Sequence, residues 1–186
     1  MLWPYLSSLL LVGGCRSGGD REAPPVPAPA AIEVRDAAGV ITARVAPGRP
    51  CRATVEGVEL LVGGRPLVAA HGAVRWSGED AANGTTLSKD GAPVARVYAR
   101  QLFDAEGLPI LRVMEDGAIA NRASVIVRRA AAVPAPTPGG APAVKIGDTT
   151  VTGTADVVLA AMLAAPEVPP DLRAMVACHL LLPEAR

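Results

Sequence analysis

The chain has 186 residues, and its 18 basic side chains balance 18 acidic ones. With a formal net charge of zero, a nucleic-acid partner has no electrostatic footprint to act on. Apolar residues make up 50% of the chain but aromatics only 3%, which leaves enough for one modest core, thinned by its alanine, and no aromatic platform for stacking bases or sugars.

Leu6 to Val12 is a short apolar run, followed at once by Gly13-Gly14-Cys15. It is too short to span a bilayer as a helix and suits the apolar region of a signal peptide, with small residues before the cut. Val12-Gly13-Gly14-Cys15 resembles the bacterial lipobox. The resemblance implies cleavage between Gly14 and Cys15, a signal peptide over 1–14, a diacylglycerol thioether on Cys15, and a membrane held through that lipid. No Lys or Arg precedes the apolar run, which departs from the family pattern and leaves only the Met1 amine as positive charge. Arg16 after the cysteine implies, by the habit of that family, an outer-membrane location facing periplasm or surface in a Gram-negative host.

Residues 15–31 read as a Pro/Gly/Ala-rich tether, whose extended Pro-Ala part, at about 3.1 Å per residue, lets it lift a domain roughly 50 Å from the bilayer. A β-hairpin domain is expected over 32–132, a Pro/Gly linker over 133–143, and a small hairpin with two helices over 144–186. The first segment carries an internal echo. Asp36-Ala37-Ala38-Gly39-Val40 precedes Arg44-Val45, and Asp104-Ala105-Glu106-Gly107-Leu108 precedes Arg112-Val113 at the same spacing. Lys89-Asp90-Gly91 before Arg96-Val97 is one residue shorter, and Glu115-Asp116-Gly117 is a further acidic-Gly turn. Gly accepts positive φ and Asp bonds back to nearby backbone, so each phrase turns the chain.

The flanks alternate with period two: Ile41, Ala43 and Val45 against Thr42 and Arg44; Val58, Leu60 and Val62 against Glu59; Ala95, Val97 and Ala99 against Arg96 and Tyr98. The expected fold is mainly β, an antiparallel meander of roughly eight strands forming a sandwich or barrel-like sheet, α+β overall once the C-terminal helical hairpin is added. The Asp-x-x-Gly…Arg-Val phrase resembles the hairpins of tubby-like and LURP-like β-meander barrels; no activity is carried over from it.

In the last segment a hairpin is expected around Gly147-Asp148. Thr154 is the expected cap of a helix from about Ala155 to Ala165, and Asp171 sits at the start of a second. Leu172, Met175, Val176, His179 and Leu180 share one face of that second helix, which is expected to cover the sheet or pair with a partner.

Signals for chemistry are sparse. Ser77 lacks the Gly-x-Ser-x-Gly elbow, and no phosphate loop, dinucleotide fingerprint, zinc spacing or EF-hand register is present, so no cofactor or metal is assigned. Residues 79–84 read as a loop. His179 reads as a packed histidine. Cys51 and Cys178 are free to pair in an oxidising compartment or to serve as small core residues, and a separation of 127 carries no framework pattern. Arg44, Arg96 and Arg112, at equivalent hairpin positions, with Arg128 and Arg129 closing the last strand, are either a solvated strand face guarded against edge pairing or, if they share a face, a stripe for an anionic polymer or lipid headgroups. Trp76 is either a partner anchor or the largest core residue.

The leading expectation is a non-enzymatic envelope lipoprotein acting as an interaction or structural module with an envelope protein partner. The rivals are an envelope hydrolase using His71 with Glu79 or Asp80, and a small-ligand or lipid carrier. The first rival requires those side chains to converge in a cleft; the second requires an enclosed apolar cavity of several hundred Å³.

Overall fold

The computed structural model describes residues 30–134 and 140–182; the lipobox and nearly all of the tether lie outside these residues. Fourteen strands among the described residues form one closed antiparallel barrel in which every strand pairs with its neighbour in sequence and β1 closes on β14. The strands are β1 (Ile32–Arg35), β2 (Ile41–Ala46), β3 (Cys51–Val55), β4 (Val58–Val62), β5 (Leu67–His71), β6 (Val74–Ala81) and β7 (Gly84–Lys89). Then come β8 (Ala92–Tyr98), β9 (Gln101–Asp104), β10 (Pro109–Val113), β11 (Ala118–Asn121), β12 (Ile126–Val133), β13 (Ala143–Ile146) and β14 (Thr149–Thr152). Two helices follow, α1 (Val157–Leu163) and α2 (Pro170–Leu181).

The meander is therefore a barrel: the first segment carries twelve strands where about eight are expected, and the expected hairpin around Gly147-Asp148 adds β13 and β14 to the same sheet. The segments on either side of 133–143 share one sheet: β13 and β14 pair with β12 and β1, and 133–143 connects neighbouring strands. The sequence echo is a repeated hairpin. In the turns after Asp36, Asp104, Met114 and Asn121, the residue at the turn's start donates its N–H to the carbonyl four residues on, and its own carbonyl accepts from the residue at the fourth position. Gly39, Gly107 and Gly117 occupy that fourth position at φ near 80°, which a side chain disfavours. Asp36 Oδ1 accepts the N–H groups of Ala38 and Val40, and Asp104 Oδ1 accepts that of Leu108, so the aspartates hold the turn as the echo implied.

Alternation sorts the wall into two faces. Val34, Ala43, Val45, Ala53, Val55, Leu60, Val62, Leu87 and Val151 point inward and are buried, while Arg44, Arg52, Glu59 and Arg75 point outward. This is the inverse of a membrane-spanning barrel, whose lipid-facing band is apolar. Eight strands make a barrel that side chains alone can fill; sixteen leave a channel. A fourteen-stranded wall needs a filler, and the C-terminal helices supply it.

Burial is unbroken from Leu172 to His179 in α2 and from Leu159 to Leu163 in α1. α2 packs on β2, β3 and β4 while α1 packs on β10, β12 and β13, so together they bridge opposite walls. The expectation of a hairpin covering the sheet is corrected: the helices sit inside it. Twelve residues at 1.5 Å each give α2 a length of about 18 Å, close to a six-residue strand at about 20 Å, so it traverses the barrel once. Small residues at Ala160, Ala161, Ala174 and Ala177 let two helices share the lumen. The first helix is capped by Asp156, whose Oδ1 accepts the N–H groups of Val158 and Leu159, and not by Thr154, whose hydroxyl accepts the N–H of Asp156. Pro170 opens the second at its first position, where its missing N–H costs nothing.

Candidate functional site

The barrel has two rims. The upper rim carries the β2–β3, β4–β5, β6–β7, β8–β9, β10–β11 and β12–β13 connections, and here the chain enters at Ala31 and the plug both begins and ends. The lower rim carries the other seven hairpins and the α1–α2 turn. The plug is fastened at both. At the lower rim, Arg173, buried in α2, donates to Glu56 Oε1 at 2.6 Å and to the Leu163 carbonyl at 3.3 Å. Lys89 pairs with Asp171 at 2.7 Å and lies 5.6 Å from the Trp76 ring centre, and Arg128 pairs with Glu167. At the upper rim Cys51 of β3 is disulfide-bonded to Cys178 of α2. The two cysteines had two possible fates in sequence; pairing is the one realised, because an inward β3 position faces the last turn of α2.

Beside that disulfide lies a cleft of about 560 Å³, lined by Arg65, Asp80, Thr85, Tyr98, His179 and Leu180 among others. Asp80 faces inward because β6 alternates: Trp76, Gly78 and Asp80 share the inner face, and Glu79 points out. Its register partner is Thr85, whose hydroxyl donates to Asp80 Oδ1 at 2.6 Å. Arg65, in the β4–β5 turn with its side chain only 9% exposed, donates one Nη to Asp80 Oδ2. Its other Nη reaches His179 Nδ1 at 3.1 Å and the His179 carbonyl at 3.4 Å. The guanidinium thus occupies the place where the carbonyls at the end of α2 leave partial negative charge. Gly84 lets β7 approach β8 here, since a Cβ would overlap the Val97 carbonyl.

The electrostatics follow from the contacts. Hydrogen bonds from Thr85 and Arg65 hold the Asp80 carboxyl below the usual range. Burial, then the facing Arg65 charge, brings His179 down to about 4. With Nδ1 accepting from Arg65, the neutral ring carries its proton on Nε2. A carboxylate held below its range and an imidazole near 4 are both weak bases at neutral pH. The network is suited to holding the end of α2 and to presenting polar groups, and poorly suited to moving protons.

The remaining sequence candidates do not assemble. His71 ends β5 at the lower rim, paired with Val74, whereas Asp80 lies six residues further along β6, about 20 Å away at about 3.3 Å per residue. The hydrolase constellation of His71 with Glu79 or Asp80 is therefore overturned. His71 Nδ1 instead bonds the Glu59 carbonyl at 3.0 Å, where the short β4–β5 ladder has ended. Residues 79–81 belong to β6 and are not loop. Among the described residues no group of three or more His, Cys, Asp or Glu is arranged to hold a metal ion. Among the described residues the helices occupy the lumen that the carrier reading needs open. Trp76 is 2% exposed and faces the plug, so it is core and offers no anchor to a partner. The arginine stripe does not form: Arg44 on β2 stands six strands from both Arg96 on β8 and Arg112 on β10, on the opposite wall. Arg44 pairs with Glu33 at 3.6 Å, and Arg96 lies 5.0 Å from the Phe103 ring centre.

Arg65 escaped the sequence reading because it follows Gly63-Gly64 and reads as turn; its isolation as a single base after two glycines was the only available signal. Comparison with known proteins adds no family: no protein-family model matches the chain, and no curated protein or solved structure matches it either.

Proposed function

We propose that this chain is an exported, lipid-anchored envelope protein whose barrel works as a non-catalytic interaction module at the end of a Pro-rich tether. The observation that carries this reading is the bolted lumen. A barrel filled by its own C-terminal helices, with the disulfide at one end and three ion pairs at the other, leaves its outer wall and rims as working surface. The Cys51–Cys178 bond is in keeping with an oxidising compartment, and the chain enters the sheet at the upper rim, where a tether from Cys15 would attach.

Anchoring is tested by replacing Cys15→Ser in cells. The variant should lose lipid labelling and leave the membrane fraction; unchanged fractionation overturns the anchor. Turnover of an envelope substrate by the purified protein overturns the non-catalytic part.

A further inference from the structure

Resting on the interaction-module reading, we infer that one half of the lower rim is a docking surface for a partner segment that is apolar and basic. The lower rim divides into two arcs. In one arc the β3–β4 and β7–β8 turns are tight Glu56-Gly57 and Asp90-Gly91 pairs, and two of the three ion pairs that fasten the plug there, Arg173–Glu56 and Lys89–Asp171, lie here, while the third, Arg128–Glu167, lies beside Ile126 in the other arc. In the other arc, from β9 round to β2, three hairpins use the longer repeated turn: 36–40, 104–108 and 121–125.

The same position of each long turn, the residue after the one at positive φ, holds a branched aliphatic that faces solvent: Val40 at 59% exposure, Leu108 at 47% and Val125 at 56%. Ile126 extends the patch. These turns need the Asp or Asn that holds them and the residue at positive φ; nothing in the turn needs an exposed aliphatic four residues on. The fourth turn of this repeat, after Met114 on the upper rim, places a buried alanine, Ala118, there. Neighbouring tips on one rim are two strands apart, roughly 10 Å, and Arg122 of one tip reaches Asp104 of the next at 3.0 Å. Leu108, Val125 and Ile126 therefore lie together, while Val40 stands four strands from the 121–125 tip, about 20 Å along the rim, with the polar Gly147-Asp148 tip between them.

Charge selects the partner. The four turns of this arc carry Asp36, Asp104, Glu106 and Asp148 against Arg122, which Asp104 already pairs, and Arg35 at the end of β1 reaches the Gly39 carbonyl at 3.2 Å while paired to Glu33. Asp36, Glu106 and Asp148 make no ion pair among the described residues. Exposed aliphatics set among carboxylates that make no ion pair disfavour a second copy of the same rim and complement an amphipathic segment whose apolar face is edged by Lys or Arg. This rim also lies opposite the one where the chain enters, so a tether leaves it free.

Two synthetic helices of equal length, one of Leu and Lys and one of Leu and Glu, probe the surface on the full chain carrying Cys15→Ser, whatever the fate of the anchor. The Leu/Lys helix should shift the backbone amide signals of Val40, Leu108 and Val125 and leave those of the Glu56 and Asp90 turns in place. It should bind at least tenfold more tightly than the Leu/Glu helix and weaken as salt rises. The triple variant Val40→Ser, Leu108→Ser, Val125→Ser should lose at least tenfold in affinity with an unchanged thermal transition. Equal binding of both helices, shifts elsewhere on the barrel, undiminished binding by the triple variant, or self-association through this rim overturns the site. None of these results depends on lipid labelling or substrate turnover, by which the broader reading stands or falls.

Discussion

In the barrel wall, burial comes at every second residue: Cys51, Ala53 and Val55 are inside while Arg52 faces out, and Leu60 and Val62 are inside while Glu59 and Leu61 face out. In the plug, burial runs without interruption along α2 from Leu172 to His179, through an arginine and a histidine as well as apolar residues. Both regions serve one core. The wall has one dry face because a sheet closed into a barrel still has an outside; the plug has none, because a helix inside a barrel is surrounded. Each is therefore incomplete without the other. The wall without the plug encloses a void too wide for its own side chains, and the plug without the wall is a short, alanine-rich hairpin with no partner for either face.

The most severe way to break that complementarity is to remove the plug. A chain ending at Gly153 keeps every strand of the wall and should lose cooperative unfolding altogether, giving no sharp thermal transition and strong binding of an apolar dye. A sharp transition near that of the whole chain would show the wall to be self-sufficient. Next in size is the bolt between the two regions. Cys178→Ala, which keeps a small apolar side chain in α2, should cost about 2–5 kcal/mol in chemical denaturation, since the bond closes a loop of 127 positions. In the same variant, amide exchange should accelerate at the end of α2 more than in β7 and β8, whose pairing it does not touch.

The wall was the legible part of the molecule. Asp-x-x-Gly turns with alternating flanks announce hairpins in any context, and β1–β2, β9–β10 and the Gly147-Asp148 hairpin lie where those signals fall. The strand count came out low because several strands carry no visible alternation. β11 is Ala-Ile-Ala-Asn, buried along three residues, and β12 ends in Ala-Ala-Ala-Val. The helices were visible but not their place, since an apolar stripe at Leu172, Met175 and Val176 is the same pattern whether the opposite face meets water or a second wall. The candidate cleft was illegible for a different reason. Arg65, Asp80 and His179 come from a turn, a strand end and a helix end, with up to 114 positions between members, and only the closure of the barrel and the path of α2 bring them together.

That cleft gives the comparison a pH dependence. His179 belongs to the plug and Arg65 and Asp80 to the wall, and the ring is neutral in the fold with its pKa brought from 6.5 to about 4. The unfolded chain therefore binds this proton first as pH falls. The stability His179 contributes is intact above about 6.5 and drains away towards pH 4, by at most about 3.5 kcal/mol at about 1.4 kcal/mol per pKa unit. The Asp80 carboxyl, held below its ordinary value, adds loss of the same sign further down the scale. Denaturation midpoints followed from pH 7 to 4 should fall, and His179→Gln, which removes the titrating ring but keeps a polar side chain beside Arg65, should flatten the slope over that interval. An unchanged slope in the variant would assign the dependence to the other carboxylates of the chain.

The smallest expected effect separates the two kinds of charged residue on the wall itself. Asp104 Oδ1 accepts the Leu108 N–H at 2.7 Å, and its Oδ2 pairs with Arg122 at 3.0 Å, so one side chain holds its own turn and ties it to the neighbouring tip. Asp104→Ala should cost about 1 kcal/mol, the scale of a typical net hydrogen bond, and loosen the β9–β10 and β11–β12 tips together. Arg44 also carries an ion pair, at 3.6 Å to Glu33, but it is well exposed, and Glu33 keeps Arg35 at 2.6 Å when Arg44 is gone. Arg44→Ala should therefore change stability by no more than about 0.5 kcal/mol. If the two variants cost the same, the repeated turn draws its stability from the glycine and the ladder, and the aspartate at its head is incidental. If Asp104→Ala alone is costly, the acid at the start of each echo is there to build the hairpins that make up the wall, and its negative charge at the lower rim is retained for whatever meets that rim.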